Sequence, residues 1–363
     1  MDKTQQAKLI GPATADCLPS ITLKGNSYER GVQYGKRFGA YLEKFYYWFV
    51  KKEPAELLTA EYRAELEKME ALTAQHFPQL LEETKGWSDG AKLEYDKCRI
   101  MVFHNEIKSV IPLHCSNVLV TRGGGASPWL ARNCDLYENE RSWQVQIISH
   151  CDDCHSHAGA GYLGLPHSVG VNQAGLAVGG ASMSSEMQTP STGMPNIASF
   201  FLWTQKSMAE CCDRTRELGH LGKGVNLVLL DASGEGAVLA LAGGAHHVHH
   251  PGDQGFLIAT NHSIDGRFPP PKDFSPEHLE NSHARYDRLT EILSEADPKD
   301  RDPGLGKKAM ADMQGKWSVC EHVPGGFHTI YSWVVWHDQN GVCMDFCWGY
   351  PCQSPFESVV LNW

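Results

Sequence analysis

No stretch of the sequence approaches the roughly 20 consecutive apolar residues that a membrane-spanning helix needs. A long Lys/Arg cluster is also lacking, and 32 basic residues against 43 acidic ones leave a formal net charge of −11. An anionic bilayer or a nucleic-acid backbone would repel such a chain, so neither is an expected partner. The opening residues, MDKTQQAKLIGPATADC, carry no apolar run after their basic residue. No secretory leader is read there, and a soluble, cytoplasmic protein is expected. Internal repeats and low-complexity tracts are missing too. What the chain does have is apolar residues, 42% of its 363 positions, with 21% charged. That is ample for a sizeable core and too apolar for disorder.

Twelve cysteines are many, yet they are scattered, and several lie in apolar runs such as GVCMDFCW with Cys343 and Cys347. Without a leader they are expected to be buried free thiols and not a disulfide framework.

From about Ser27 to Glu94, apolar residues recur at three and four positions with Glu and Lys between them, in SYERGVQYGKRFGAYLEKFYYWFV, PAELLTAEYRAELEKMEALTAQHF and PQLLEETKGWSDGAKL. The spacing predicts helices. Past Cys115 the texture changes to short apolar runs bounded by Gly, Asn and Asp, which are strand and hairpin signals: SNVLVTRGGG, WLARNCDL, VQIISH, SVGVNQAGLAVGG, VNLVLLDASGEGAVLAL, GFLIATNH. Two helical stretches interrupt them, SFFLWTQKSMAECCDRTRELG and SHARYDRLTEILSEA, and TIYSWVVWHDQ and GVCMDFCW close the chain as strands. Such grouping predicts an α+β protein of stacked sheet and helix layers, not alternating βαβ units.

Cys115 stands where the helical part meets the sheet-rich body. If the peptide bond before it broke, its new α-amine, with a pKa near 8, would sit beside its own thiol and could take the thiol proton. Arg132 and Asp135 follow by 17 and 20 residues, enough for a strand, a glycine-rich turn and a return strand. The hairpin is expected to bring both charges beside Cys115, the arginine to lower the thiol pKa and the aspartate to accept from the new ammonium or a substrate. A local ion pair on an exposed hairpin is the competing reading. Asn172, in GVNQAGL, reads as a turn residue.

Taken together, GNSYERGVQYGKRFG, HCSNVLVT, ARNCD, GVNQAGLAVGGASM, NLVLLDASGEG, ATNH, SHARYDRL and GYPCQSPFES, in this order, make the chain resemble the cysteine-type N-terminal-nucleophile (Ntn) hydrolases around penicillin acyl-CoA acyltransferase. More distantly it is similar to the choloylglycine hydrolases. The resemblance implies a four-layer αββα sandwich, with a helical segment 1–114 that stays bound to a catalytic body 115–363 after self-cleavage. It also implies Cys115 as nucleophile of cleavage and catalysis, Arg132 and Asp135 beside it, and Asn261 as an oxyanion-hole amide. Arg285 would support the site from behind, with Ser182 and Asn172 counted among the substrate-side or supporting residues. Where those relatives carry glycine before the nucleophile and threonine after it, this chain has His114 and Ser116; His114 is expected to slow the acyl shift by bulk or to assist it as a base titrating near neutral pH.

The implied activity is hydrolysis of a small N-acyl amine, N-β-alanyl amines included, through an acyl-enzyme that needs no metal or organic cofactor. The alternative is N-acylation with an acyl-CoA donor. Association of copies of the chain is left open. Cys151, Cys154, His155 and His157 have the letters of a haem or metal clip but lack a second ligand pair. His246, His247, His249 and His250 fit an edge strand better than a metal site, and a metal-binding protein on an inert scaffold is the reading from another class. Asn261-His262-Ser263 matches a glycosylation pattern that matters only in a secreted chain.

Overall fold

The computed structural model describes residues 9–50, 58–108, 114–125, 127–187, 193–219, 224–339 and 341–363. Within them the helices are α1 (Ser27–Val50), α2 (Ala60–His76), α3 (Pro78–Ala91), α4 (Tyr95–Lys108), α5 (Ile197–Thr204), α6 (Met208–Leu218), α7 (Pro276–Glu295) and α8 (Pro303–Met310). The strands are β1 (Ser20–Gly25), β2 (His114–Val120), β3 (Trp129–Tyr137), β4 (Gln144–Cys151), β5 (His157–Tyr162), β6 (Gly170–Asn172), β7 (Ala177–Ser182), β8 (Val225–Leu230), β9 (Gly236–Ala242), β10 (Ala245–His249), β11 (Phe256–Ala259), β12 (Phe327–Asp338), β13 (Gly341–Trp348) and β14 (Glu357–Ser358). The predicted start of the second helix, PAEL, falls at residues 54–57, outside the described residues.

Eight strands form one sheet in the order β1-β4-β5-β6-β7-β8-β9-β10, and six form the other as β11-β2-β3-β12-β13-β14. The sheets face each other through β2 and β3 against β7 and β8. Helices α1, α5 and α6 cover the outer face of the eight-stranded sheet, and α7 and α8 cover the outer face of the six-stranded one. The fold is therefore the αββα sandwich. Strands β2 and β9 are buried at every position, as strands packed on both faces must be, and this is why β9, GAVLALA, reads as a continuous apolar run instead of an alternating one.

Helices α1 and α3 lie backbone to backbone. A Cβ on Gly31 would meet the Glu83 carbonyl oxygen at 2.1 Å, and one on Gly86 would meet the Tyr28 carbonyl oxygen at 2.3 Å. The four-residue glycine spacing of the first helix is thus a contact surface, since only glycine allows this approach. Arg30, on the same face, is fully buried and bonds Glu83 at 3.3 Å and Asp153 at 3.1 Å.

Three elements differ from the sequence expectation. Helix α4 is not predicted, because its central run of Cys98 and Ile100 to His104 is all buried and shows no one-sided period. The stretch predicted as one helix over SFFLWTQKSMAECCDRTRELG is two, α5 and α6, broken where the Ser207 side chain accepts from the Glu210 N–H and caps a fresh helix. Strand β1 lies before Ser27, where no element is predicted, and pairs in parallel with β4.

Candidate functional site

Cys115 is the second residue of β2, fully buried, with β11 on one side of its strand and β3 on the other. Its cross-strand neighbour is Cys134. Arg132 Nη2 donates to Cys115 Sγ at 3.1 Å. The guanidinium is fixed by two more bonds, Nε to the Gly180 carbonyl at 3.1 Å and Nη1 to the Tyr331 hydroxyl at 3.3 Å, and that hydroxyl donates to the Ala160 carbonyl at 3.1 Å. These bonds tie it to the facing sheet, directly and through Tyr331, so Arg132 is pre-aimed at the sulfur.

Asp135 lies elsewhere than expected. Residues 132 and 135 are separated by an odd number of positions on one strand, so their side chains leave opposite faces. Asp135 is the cross-strand partner of His114, not of Cys115. On that outer face Thr329 Oγ1 donates to Asp135 Oδ1 at 2.6 Å, and Arg285 Nη1 lies 3.9 Å from Asp135 Oδ2. The hairpin returns one charge to the sulfur and the other to the opposite face of the sheet, against Thr329 and Arg285.

Arg285 ties this underside together. It issues from α7, whose N-terminus Ser275 caps by accepting from the His278 N–H, with Pro276 in the first turn. Residues 281, 285 and 289 share the inward stripe of that helix. Arg285 Nη1 donates to the Cys115 carbonyl at 2.8 Å and to Ser116 Oγ at 2.9 Å, Nη2 to Asn261 Oδ1 at 2.9 Å, and Nε to Asn281 Oδ1 at 2.7 Å. Glu321, also buried, accepts from Asn281 Nδ2 and lies 3.7 Å from Arg285 Nε and 3.4 Å from His114 Nδ1.

Asn261 joins the two faces. Its Oδ1 accepts the Cys115 backbone N–H at 3.0 Å, its own N–H donates to Ser282 Oγ at 2.8 Å, and Nδ2 donates to the Ser182 carbonyl at 2.9 Å. Asn261 and Ser182, with Arg132, Cys134, His114 and Tyr331, line a cavity of about 990 Å³. That is the upper end of the range for small-molecule sites.

Asn172 is not brought to this site. Its Nδ2 donates to the carbonyls of Leu202 and Gln205, and its Oδ1 accepts from the N–H groups of Ala174 and Leu176. With every polar position used on backbone, it fastens the β6–β7 turn to the end of α5, in keeping with its reading as a turn residue and against a supporting role at the site. Sequence reasoning missed Cys134, Thr329, Tyr331, Asn281 and Glu321. For Cys134 a signal existed, since it lies inside ARNCD at even spacing from Arg132; the others arrive from distant segments.

The electrostatics follow from burial. Burial pushes the Cys115 thiol up, and Cys134 beside it adds to that. For Cys134, burial is outweighed by Cys115, Arg132 and Tyr331, which hold its thiol down at about 6. The two sulfurs titrate as one system facing a single guanidinium. Asp135 is raised by burial and by Glu321, whereas Glu321, despite its burial, is kept below the usual carboxylate value by Arg285 and His114.

His114 does not titrate near neutral pH as expected. Burial, with Phe327 stacked on its ring at 3.6 Å and the Arg285 charge nearby, brings it down to about 4. His167 is likewise brought down to about 4 by burial. Unfolded imidazoles titrate near 6.5, so from about pH 6.5 to about pH 4 the unfolded chain holds protons that the folded chain refuses. Stability is therefore expected to fall as pH falls through that window, with a shallower fall in His167→Gln. Thermal midpoints between about pH 7.5 and about pH 4 check this, and a wild-type midpoint that rises on acidification would contradict it.

The sequence profile described as Acyl-coenzyme A:6-aminopenicillanic acid acyl-transferase matches residues 120–353. The chain belongs to that family. The match spans Arg132, Asp135, Ser182, Asn261, Arg285 and Glu321 and begins five residues after Cys115. As an Ntn-family member this acyltransferase relative is an enzyme that acts on amide bonds. No curated protein sequence matches it. Among solved structures it is similar to a Caenorhabditis elegans N-acylethanolamine-hydrolyzing acid amidase ortholog, at 13% identity and a TM-score of 0.46 over 61% of this chain and 92% of that one. It is also similar to penicillin V acylase from Agrobacterium tumefaciens, at 14% identity and 0.43 over 64% and 82%. A third likeness is to a mutant form of conjugated bile acid hydrolase from Clostridium perfringens, at 12% and 0.40 over 69% and 97%. At such scores these likenesses add nothing to the layer order seen in the chain of this acyltransferase-family member itself.

Two other clusters named from the sequence are placed as follows. Cys151, Cys154 and His157 come together at the end of β4 and the start of β5, but without His155. The His tract forms β10, the edge of the larger sheet, with His247 and His249 near Asp265. Among the described residues no helix is long and apolar enough to cross a membrane.

Proposed function

We propose that the chain is a self-processing cysteine amidohydrolase that cleaves a small N-acyl amine through an acyl-enzyme on Cys115. The observation that carries this reading is Arg132, on the wall of a cavity whose other polar groups include Asn261 and Ser182, with its Nη2 3.1 Å from Sγ of the fully buried Cys115. Burial raises the Cys115 thiol, and the Arg132 charge works against that rise in favour of the thiolate, the reactive form of the sulfur.

In the first step Cys115 Sγ attacks the His114 carbonyl carbon. The C–N bond breaks, the Cys115 nitrogen leaves as an amine after gaining a proton, and water hydrolyses the thioester to a His114 carboxylate. Arg285 on the Cys115 carbonyl and Asn261 on the Cys115 N–H hold the residue after that bond at both of its peptide groups. Segments 1–114 and 115–363 then remain together as two fragments. Asp135 is the partner of His114 across the strands; an ammonium at the new terminus would draw its raised pKa back down.

In the second reaction the amine takes the Cys115 thiol proton and the thiolate attacks the substrate carbonyl. The Asn261 side-chain amide and backbone N–H groups stabilise the oxyanion. The leaving amine departs with a proton, and water releases the acid. A cytoplasmic setting agrees with twelve cysteines that are all unpaired.

Acyl transfer from a CoA thioester is the second reading, favoured by the family match at residues 120–353. Incubation with a panel of N-acyl amines is expected to release acid and amine and to leave the acyl mass on the fragment that begins at Cys115. Incubation with an acyl-CoA and a free amine is expected to yield free acid without lasting amide. Amide that accumulates would replace hydrolysis by transfer, and no acyl mass at Cys115 with any donor would sink both readings.

A further inference from the structure

Behind the site, Glu321 is flanked by two side chains that point away from it. Cys320 Sγ, His322 Nε2 and Cys352 Sγ form a closed triangle, with Cys320 Sγ 3.4 Å from His322 Nε2, the two sulfurs 3.5 Å apart, and His322 Nε2 3.1 Å from Cys352 Sγ. We propose that Cys320, His322 and Cys352 bind a zinc ion, which clasps the turn after β13 to the segment that carries Glu321.

The geometry fits this ion closely. Tetrahedral zinc with Zn–S near 2.3 Å and Zn–N near 2.05 Å places neighbouring sulfurs about 3.8 Å apart and sulfur and nitrogen about 3.6 Å apart. Each edge of the triangle has only a few tenths of an ångström to open. Two thiolates and an imidazole are a soft donor set that selects zinc over magnesium or calcium.

The donors are also held before any metal arrives. The His322 ring stacks on Tyr350 at 3.8 Å and 20°, and the Tyr350 hydroxyl meets His328 Nδ1 at 2.8 Å. The Cys320 N–H donates to the Asp312 carbonyl at 3.0 Å, and the turn at Tyr350 is closed by the N–H groups of Gln353 and Ser354 on its carbonyl. Cys320 is fully buried, while His322 and Cys352 are half-buried, so the fourth position faces outward, where water can complete the shell.

The other two clusters are weaker candidates on the same grounds. In the first, Cys154 Sγ faces the Arg30 guanidinium at 3.4 Å, which a dication would have to displace, and His157 Nδ1, 3.8 Å from Cys151 Sγ, is already 2.9 Å from the His155 carbonyl. In the second, Asp265 is held by Arg267 at 2.7 Å. Between its two donors the proposed site holds a working carboxylate: Glu321 accepts from Asn281 and faces Arg285 and His114. The ion is thus a positioning device for Glu321 and takes no part in the acyl chemistry.

The test uses the full chain in a Cys151→Ser background, stripped of metal under reducing conditions, then titrated with zinc alone or with cobalt(II) as its coloured substitute. One zinc per chain, a thiolate-to-cobalt absorption band and a raised thermal midpoint are expected. Cys352→Ser and His322→Gln are each expected to weaken zinc uptake at least about 100-fold. No uptake, or uptake unchanged by both substitutions, overturns the proposal. So does a Cys320–Cys352 disulfide in the fresh protein, seen as a mass lower by two hydrogens and two thiols lost to alkylation. Should either variant fail to fold, the cobalt spectrum of the background chain decides, and a spectrum without a thiolate band overturns it.

Discussion

Cys115→Ala is expected to remain a single polypeptide where the wild-type chain yields two fragments that meet between His114 and Cys115, and to lose amide hydrolysis by at least about 10⁴-fold. The size of the effect follows from the number of roles on one atom. Cys115 Sγ is proposed to open its own peptide bond, to attack the substrate and to carry the acyl group, and Arg132 donates to it at 3.1 Å. Cys134 is the obvious rival, because it is the cross-strand partner and its thiol is held at about 6. Its amide, however, lies in the middle of β3, and the proposed break before Cys115 gives it no free amine. Cys134→Ala is therefore expected to split as wild type does. Intact mass separates the cases, and hydrolysis that survives loss of the Cys115 sulfur would remove the basis of the proposed mechanism.

Arg285→Ala is expected to cost about 3–5 kcal/mol of folding stability, the usual penalty for leaving buried charge without its partner. The guanidinium is fully buried and bonds the Cys115 carbonyl, Ser116, Asn261 and Asn281 while facing both Asp135 and Glu321. Alanine leaves two carboxylates close together with no cation between them, and four acceptors without this donor. Lysine keeps the charge but cannot span those positions with a planar fork, so Arg285→Lys is expected to fall between wild type and alanine. Denaturant midpoints at fixed pH read this directly. An alanine variant within about 1 kcal/mol of wild type would mean that the network does not hold the underside of the site together.

The strand that carries Cys115 and the returning Arg132 are legible in the sequence because both rest on local pattern: a short apolar run, a glycine turn and a second run that carries Arg132. Asp135 was misplaced for an equally local reason, since its odd spacing from Arg132 sends it through to the other face of the sheet. Glu321, Asn281 and Thr329 could not be read at all. They converge on the site from segments separated by 194 residues and more, as the Thr329–Asp135 bond and the His114–Glu321 contact show, and no periodicity within one segment reports such a meeting. Helix α4 escaped for the opposite reason: its central run, residues 100–104, is buried on every side, so the polar stripe by which an amphipathic helix announces itself is interrupted there.

Strand β1 gives the His114–Cys115 boundary an unusual character. The upstream segment does not merely rest on the downstream one; it contributes an edge strand, in register from Ser20 against Gln146 to Gly25 against Cys151, and covers the same sheet with α1. A molecule cut at that boundary would be two polypeptides woven into one fabric. Its halves could trade places with those of another molecule only by unravelling a shared sheet, so each copy would keep the partner it was born with.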